Sequence, residues 1–436
     1  MHKLKQFRER VSRCILLVST VLWAITLNTG LKAAEIDQTQ LRFSGFTTIG
    51  LVKGGNDILG FTQDINREGV FDGDWSLKNN SNIGVQMDAS FNDQWSASLQ
   101  MILEDRFEND LERSLSLAFI RYRFSPNSTL KLGRLAPDLY MLSEYRKIGF
   151  AYLWVRPPVE FYSPLAFDSY DGLDYTYTTM AGSGTLFAKF QLGKAKNTFS
   201  RDGDSYELSI NPATSFSVNW ENETWHYRAS LALLRIDSDE YFPGTELLGQ
   251  GLEMVTPLWP NAENYRQSLN AGDSKFKYFG LGAAYTPENW QFQVELNHIP
   301  TDLEALGDFT SGYFSVGRHI GNTTVYAMVA KVESSTRYRE VNDAPTLPPP
   351  LSFVPELQEG IDNIEAGLNF YLQSVPVHQH TVSLGMRWDI LYNLAMKIQV
   401  DRSWVQAYGS ALWDQKEPNP NDETLNTYTI NLNYVF

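Results

Sequence analysis

The sequence predicts an all-β fold: a transmembrane, antiparallel, up-and-down β-barrel. Three observations point there. Apolar and polar residues alternate with a period of two over segments of roughly ten residues, the length a tilted strand needs to cross a bilayer. Short turns alternate with long loops along the chain. Aromatic residues gather near segment ends on the apolar phase. After the first 33 residues, no stretch is long and apolar enough for a membrane helix.

At the start, Lys3, Lys5, Arg8, Arg10 and Arg13 precede the apolar run CILLVSTVLWAITL, and Ala33 and Ala34 follow it. This is the layout of a cleaved export signal, expected over residues 1–33 with the cut after 33 or 34. The run is shorter than a membrane span requires, which disfavours an anchor helix. Cys14, the single cysteine, lies in the segment expected to be removed, so residues 34–436 carry no thiol chemistry. These residues are read as one barrel domain.

The alternation then runs segment by segment. One phase of 81–91 is Ile83, Val85, Met87, Ala89 and Phe91, and the other is Asn82, Gly84, Gln86, Asp88 and Ser90. The same holds for Trp95, Ala97, Leu99, Met101 and Leu103, and for Trp290, Phe292, Val294 and Leu296 against Gln291, Gln293, Glu295 and Asn297. It holds again for Val382, Leu384, Met386, Trp388 and Ile390, and for Leu394, Met396, Ile398 and Val400 against Ala395, Lys397, Gln399 and Asp401. Successive side chains of a strand face opposite ways, so each segment has one apolar and one polar face. A soluble sandwich would show the same pattern, but its strands are shorter, about 5–6 residues.

Short links fall at Phe91–Gln94, Ser125–Ser128, Ala181–Gly184, Glu221–Glu223, Pro287–Asn289, Ile320–Asn322 and Leu391–Asn393. Long segments lie between them at 53–79, 105–114, 136–170, 193–205, 237–274, 300–308, 334–378 and 405–422. Eight long loops imply sixteen strands. Within the seventh, Ile364, Ala366, Leu368, Phe370 and Leu372 alternate like a strand, while Ile361, Ile364, Leu368 and Tyr371 suit a helix face. Barrels of this kind are even-numbered, so the segment is loop or helix and the count sixteen, or a partner was missed and the count is eighteen. Sixteen is the expectation.

Charge restricts function. The chain has 36 basic and 51 acidic residues; six and one of these fall in residues 1–33, so 30 and 50 remain and the formal charge is −20. A chain this acidic lacks the basic face that nucleic acid requires.

The last nine residues, YTINLNYVF, place Tyr428, Ile430, Leu432, Tyr434 and terminal Phe436 on one face, and residues 41–52 read LRFSGFTTIGLV. The block TLKLGRLAPDLYMLSEYRKIGFAYLWVRPP, followed by FDSYDGLDYTYT, lies within 129–178. In these stretches the chain resembles the outer-membrane porins of Gram-negative bacteria. The resemblance implies a water-filled pore for passive diffusion of ions and small hydrophilic solutes, located in the cell outer membrane. It also implies insertion by the barrel-assembly machinery through Phe436 and Tyr434, outer-membrane lipid and lipopolysaccharide as surroundings, and a homotrimer as one assembly. By the same resemblance, loop 136–170 folds inward as the constriction, with Asp138, Glu144, Arg146, Arg156 and Glu160 as candidates for its narrowest part. The acidic motif of the best-known members is absent, since Asp138, Glu144, Glu160 and Asp168 mix with Arg146, Lys147 and Arg156.

Arg42, Lys189, Arg387 and Lys397 lie on the polar phase of their strands and are pore-wall candidates. Arg121, Arg123 and Arg134 would form a basic ladder, but the alternation slips by one near Arg134. Loop 136–170 is rich in aromatics and proline and too apolar to stand free in water, so Tyr140, Phe150, Trp154 and Phe161 are expected to anchor it. The loops at 237–274, 300–308 and 334–378 are acidic, which leads us to expect a weak cation preference.

An outer-membrane barrel enzyme or adhesin, working through its external loops, is the alternative. No Gly-x-Ser-x-Gly, His-Glu-x-x-His or phosphate-cradling loop is present, so no catalytic residue and no cofactor is expected. His378 and His380 share a strand face without a third ligand, and no metal site is expected. The PTLPPP stretch at 345–350 reads as a rigid loop rather than a recognition motif. Alternation begins too near the expected cut to leave room for a plug domain.

Overall fold

The computed structural model describes residues 35–36, 39–64, 66–106, 111–164, 167–201, 204–237, 241–242, 244–336, 339–347 and 355–436. The expected export signal, its cleavage site and Cys14 lie outside these residues, as do the last three residues of PTLPPP.

Sixteen long strands among the described residues form one sheet. They are β1 (Thr39–Lys53), β2 (Asn82–Ser90), β3 (Trp95–Glu104), β4 (Leu115–Ser125), β5 (Ser128–Leu135), β6 (Tyr170–Ala181), β7 (Gly184–Arg201) and β8 (Asp204–Glu221). Then come β9 (Trp225–Ile236), β10 (Lys275–Tyr285), β11 (Trp290–Ile299), β12 (Phe309–Ile320), β13 (Thr323–Ser334), β14 (Val377–Leu391), β15 (Leu394–Ser410) and β16 (Glu423–Val435). Each pairs antiparallel with the next, and the sheet closes on itself: Phe46 to Lys53 of β1 lie opposite Val435 to Tyr428 of β16. Closure removes the edges, so every strand finds two partners for its backbone groups, which a bilayer demands.

The period-two pattern takes its expected sense. Phe43, Leu103, Leu281, Leu296 and Leu384 point outward and are more than half exposed. A soluble core would hide such residues; here hydrocarbon covers them. Aromatics ring the end with the short turns: the Trp95 and Tyr122 rings lie 4.5 Å apart, and Trp225 stacks on Tyr285 at 4.1 Å. Such rings suit the boundary where apolar bodies meet hydrated headgroups.

The seventh loop settles the strand count. Residues Pro355–Ser374 form a helix, with Ile361, Leu368, Tyr371 and Leu372 buried, so the helical face prevails over the alternation. With two helices of the fifth loop, Glu246–Val255 and Ala262–Ser268, it builds a small apolar cluster around Leu252, Trp259, Leu269 and Ile361. The loop expected at 193–205 is instead strand: β7 and β8 continue to Arg201 and from Asp204. The residues there, KAKNTFSRDGDSYE, are polar on both phases, so no face marks the strand. At Gly133 the backbone takes φ +133°, where a side chain would strike the Ala118 carbonyl at 2.2 Å; this is where the alternation of β5 slips before Arg134.

The interior is not an empty tube. Loop 136–169 folds inward and packs Leu139, Tyr140, Trp154, Phe161 and Tyr162 against Ala232, Tyr278, Tyr313, Tyr326 and Met328 of the inner wall.

Candidate solute channel

The inward loop is seated by polar side chains of the wall. Trp154 donates its indole N–H to Ser315 Oγ at 2.7 Å, and the Met141 backbone N–H donates to Glu295 Oε2 at 2.8 Å. Tyr162 and Tyr313 both donate hydroxyls to the other oxygen of Glu295. Asn431 Nδ2 donates to the Val155 carbonyl at 2.7 Å. The fully buried Lys397 gives its ammonium to the carbonyls of Gly149 at 2.5 Å, Trp154 at 2.7 Å and Tyr152. Arg387 holds the Phe150 and Tyr152 carbonyls at 2.8 and 2.9 Å. A loop buried at membrane depth must satisfy its backbone this way.

These bonds divide the candidates. Arg156 is sealed between loop and wall, paired with Asp401 and donating to Thr429 Oγ1 at 2.7 Å. Glu160, on the one-turn helix Val159–Tyr162, is buried and accepts hydrogen bonds from Gln379 Nε2 at 2.6 Å and from Thr381. Burial pushes its carboxyl above the ordinary range, partly offset by those two bonds. Lys397 and Arg156 were expected to face water, but each carries a charge that backbone or carboxylate groups need, so both act as fasteners. Asp138 is likewise buried, meeting Arg228 at 3.2 Å and Lys189 at 3.5 Å. Burial would raise its pKa, but Lys189, Arg228 and a Ser217 hydrogen bond bring it down to about 2.

Glu144 reaches open space, whereas Arg146 and Lys189 are largely covered, each side chain 12% exposed. The Glu144 side chain is 56% exposed and receives Lys189 at 2.7 Å, with Lys131 at 3.9 Å. The wall beyond it, on β1 to β6, keeps Arg42, Gln86, Asp88, Ser96, Arg121, Arg123 and Lys131 in contact with solvent. On β11 to β16 the corresponding residues, such as Glu295, Gln399, Asp401 and Asn431, are buried under the loop. The part of the interior that stays open to solvent is therefore eccentric, on the β1–β6 side.

At its outer end the loop is tied by an ionic cluster that sequence reasoning missed. Glu104 of β3 receives Arg67, Arg106 at 2.9 Å and Lys147 at 2.9 Å. Asp168 receives Arg106 at 2.7 Å, Lys147 at 3.3 Å and Arg146. Burial opposes ionisation of Asp168, but Lys147, Arg146 and Arg106 outweigh it and hold the carboxyl well below its usual range. The cluster joins loops one, two and three to the wall. Beside it opens a cavity of about 470 Å³, reaching from Arg106 and Asp168 to Lys194 and Glu207.

Comparison of the structure with solved ones supplies the deciding observation. The chain superposes on the outer membrane channel DcaP of Acinetobacter baumannii with a TM-score of 0.53, at 9% identity, covering 93% of this chain and 100% of that one. OmpF of Salmonella typhi, solved with daunomycin, matches with a TM-score of 0.51 at 9% identity and the same coverage. The outer-membrane protein OmpT of Vibrio cholerae matches with a TM-score of 0.51 at 13% identity, again over 93% and 100%. The chain has the porin fold.

No family model matches the sequence of this porin-like barrel, and no curated protein matches it. The likeness lives in the backbone. Glu295, Gln399 and Asp401 stood on the polar phases of their strands, which marked them as inward-facing but gave no sign that a loop rests on them. Arg67 and Arg106 lie in loops without periodicity and carried no signal. Among the described residues of the porin-like barrel, no group of three or more His, Cys, Asp and Glu side chains could hold a metal.

Proposed function

We propose that the chain is a non-enzymatic porin, a passive outer-membrane channel for ions and small hydrophilic solutes. One observation carries this reading: the inward loop covers the wall on β11 to β16, while the wall on β1 to β6 stays polar and wet. A loop that filled the whole section would make a plugged barrel, and an absent loop a wide one. Here Glu144 fastens the loop edge to Lys189 and Lys131 of the wall, and the proposed constriction lies beside this edge, between the loop and the uncovered wall on β1 to β5. Arg146 belongs to the ionic cluster, and Asp138, Arg156 and Glu160 fasten the loop to the wall.

Charge placement revises the expected selectivity. Arg42, Arg121 and Arg123 face the open side of the lumen, and among the described residues none of the three has a carboxylate within 4.0 Å. The acidic loops five and seven sit instead above β9 to β14, where their helices pack on one another. The three arginines stand close to the short turns, inside the barrel on the uncovered wall, so a permeating ion passes them whatever the charge of the distant loops once salt shortens the screening length. The proposal is therefore a mild anion preference. Purified protein in planar bilayers tests both points: absence of ion current rejects the channel, and a cation-selective reversal potential in molar salt rejects the anion preference.

A further inference from the structure

The outward face of the barrel carries a feature the channel does not use. Above the apolar band, the register sets Lys331 of β13 opposite His380 of β14, and His380 opposite Trp404 of β15. One step nearer the bilayer centre, Arg402 stands opposite Val382, which in turn stands opposite Val329. Val329, Val382 and Val400 are exposed to lipid, so the residues that share their strand phase point outward too. Two permanent cations and one imidazole thus meet at the edge of the apolar band farthest from the short turns.

Trp404 organises them. The His380 ring stacks on it at 4.9 Å with 10° between the planes, and the Arg402 guanidinium lies 5.5 Å from its centroid. Arg402 has no carboxylate within 4.0 Å among the described residues, while Lys331 Nζ meets Glu333 at 2.7 Å. Elsewhere on the rim Arg235 pairs with Asp273 and Lys196 with Glu207, as Lys331 does with Glu333, so Arg402 is the cation of this group that no carboxylate among the described residues balances. A guanidinium at a hydrocarbon boundary, next to an ammonium and an aromatic ring, matches a phosphate held just above acyl chains. Trp404 and the valines below would meet the first carbons of such a chain, as interfacial tryptophans do.

We propose that Lys331, His380, Arg402 and Trp404 form a binding site for the phosphate headgroup of an anionic lipid of the outer leaflet. The site lies on the lipid face and is independent of solute passage. Native mass spectrometry of the full barrel in detergent, titrated with phosphatidic acid or with phosphatidylcholine, tests it. The first lipid should bind at least tenfold more tightly than the second, and added salt should narrow the gap. The double variant Lys331→Gln, Arg402→Gln should lose most of the preference, while Lys196→Gln on the distant rim keeps it. Inorganic phosphate at the same concentration should not compete, because the acyl contact is missing. Equal binding of the two lipids, or a preference that survives the double variant in correctly folded barrels, overturns the site. Competition by inorganic phosphate overturns its assignment to lipid.

Discussion

Replacing Lys397 by Met removes the ammonium that binds the carbonyls of Gly149, Tyr152 and Trp154 and keeps most of the side-chain volume. A hydrogen bond to a charged group contributes about 1.5–3 kcal/mol, and each carbonyl left buried without a partner costs about 1–3 kcal/mol. Against this, dehydrating the ammonium already costs the wild type several kcal/mol, which the variant no longer bears. We therefore expect loop docking to weaken by about 2–4 kcal/mol, shifting the docked-to-undocked ratio by roughly thirty- to several-hundredfold at about 1.4 kcal/mol per decade. The backbone ladder of β15 is untouched, so the closed barrel should persist. Single-channel recording should show excursions to a larger conductance, because the segment 149–154 then keeps only the Arg387 bonds on the β14–β16 wall and otherwise rests on its bonds near Met141 and Ser315. A variant with wild-type conductance and no added current noise would refute the reasoning and show that the remaining contacts suffice.

Four further outcomes follow from the same geometry. Arg156→Gln should loosen the loop in the same assay, because it strands Asp401, whereas Glu160→Gln should be close to neutral, since burial already favours the protonated acid. Because the Asp138 pKa is depressed below that of the unfolded chain, its share of docking should be complete above about pH 4 and vanish as pH falls through about 2, read as rising current noise on acidification. Deleting Phe436 should lower the amount of inserted barrel several-fold without changing unit conductance, since its ring covers Gly45 on the lipid face and its backbone closes the β1 seam; normal membrane levels would count against this. Arg121→Gln with Arg123→Gln should move the reversal potential toward cations in molar salt, and no movement would remove the two arginines from selectivity.

Much of the fold was legible in the sequence because lipid enforces period two. Wherever a strand crosses hydrocarbon, as at Leu394 to Val400, one phase must be apolar and the pattern survives without neighbours. Beyond the bilayer that constraint lapses, which is why the outer halves of β7 and β8 read as loop. Pro355–Ser374 fitted both periods, and its partners in the fifth loop, Leu252 and Trp259, decided for the helix. The site was legible in outline only. Polar phase told that Lys397 and Arg387 point inward, but whether an inward cation meets water or a carbonyl depends on where a loop more than 200 residues away comes to rest. Tyr140, Trp154 and Phe161 were foreseeable as anchors from apolarity alone, whereas their seats on Tyr278, Ser315 and Tyr313 were not.

The seat of the inward loop has a consequence for timing. Arg156 and Val155 reach Thr429 and Asn431, which stand 273 and 276 residues further along the chain, on the last strand. Part of the cradle is thus supplied by the last strand of the sheet, so the loop cannot settle fully while the sheet is still open. Until β16 meets β1, Trp154 and Phe161 can rest on Ser315 and Tyr313 of β12, but Val155 and Arg156 lack the partners that hold them to β16. Closing the wall and shaping the passage become a single late event. An incompletely zipped molecule would then be leaky in a characteristic way, wide rather than narrow, and the cell's quality control would have a clear difference to detect.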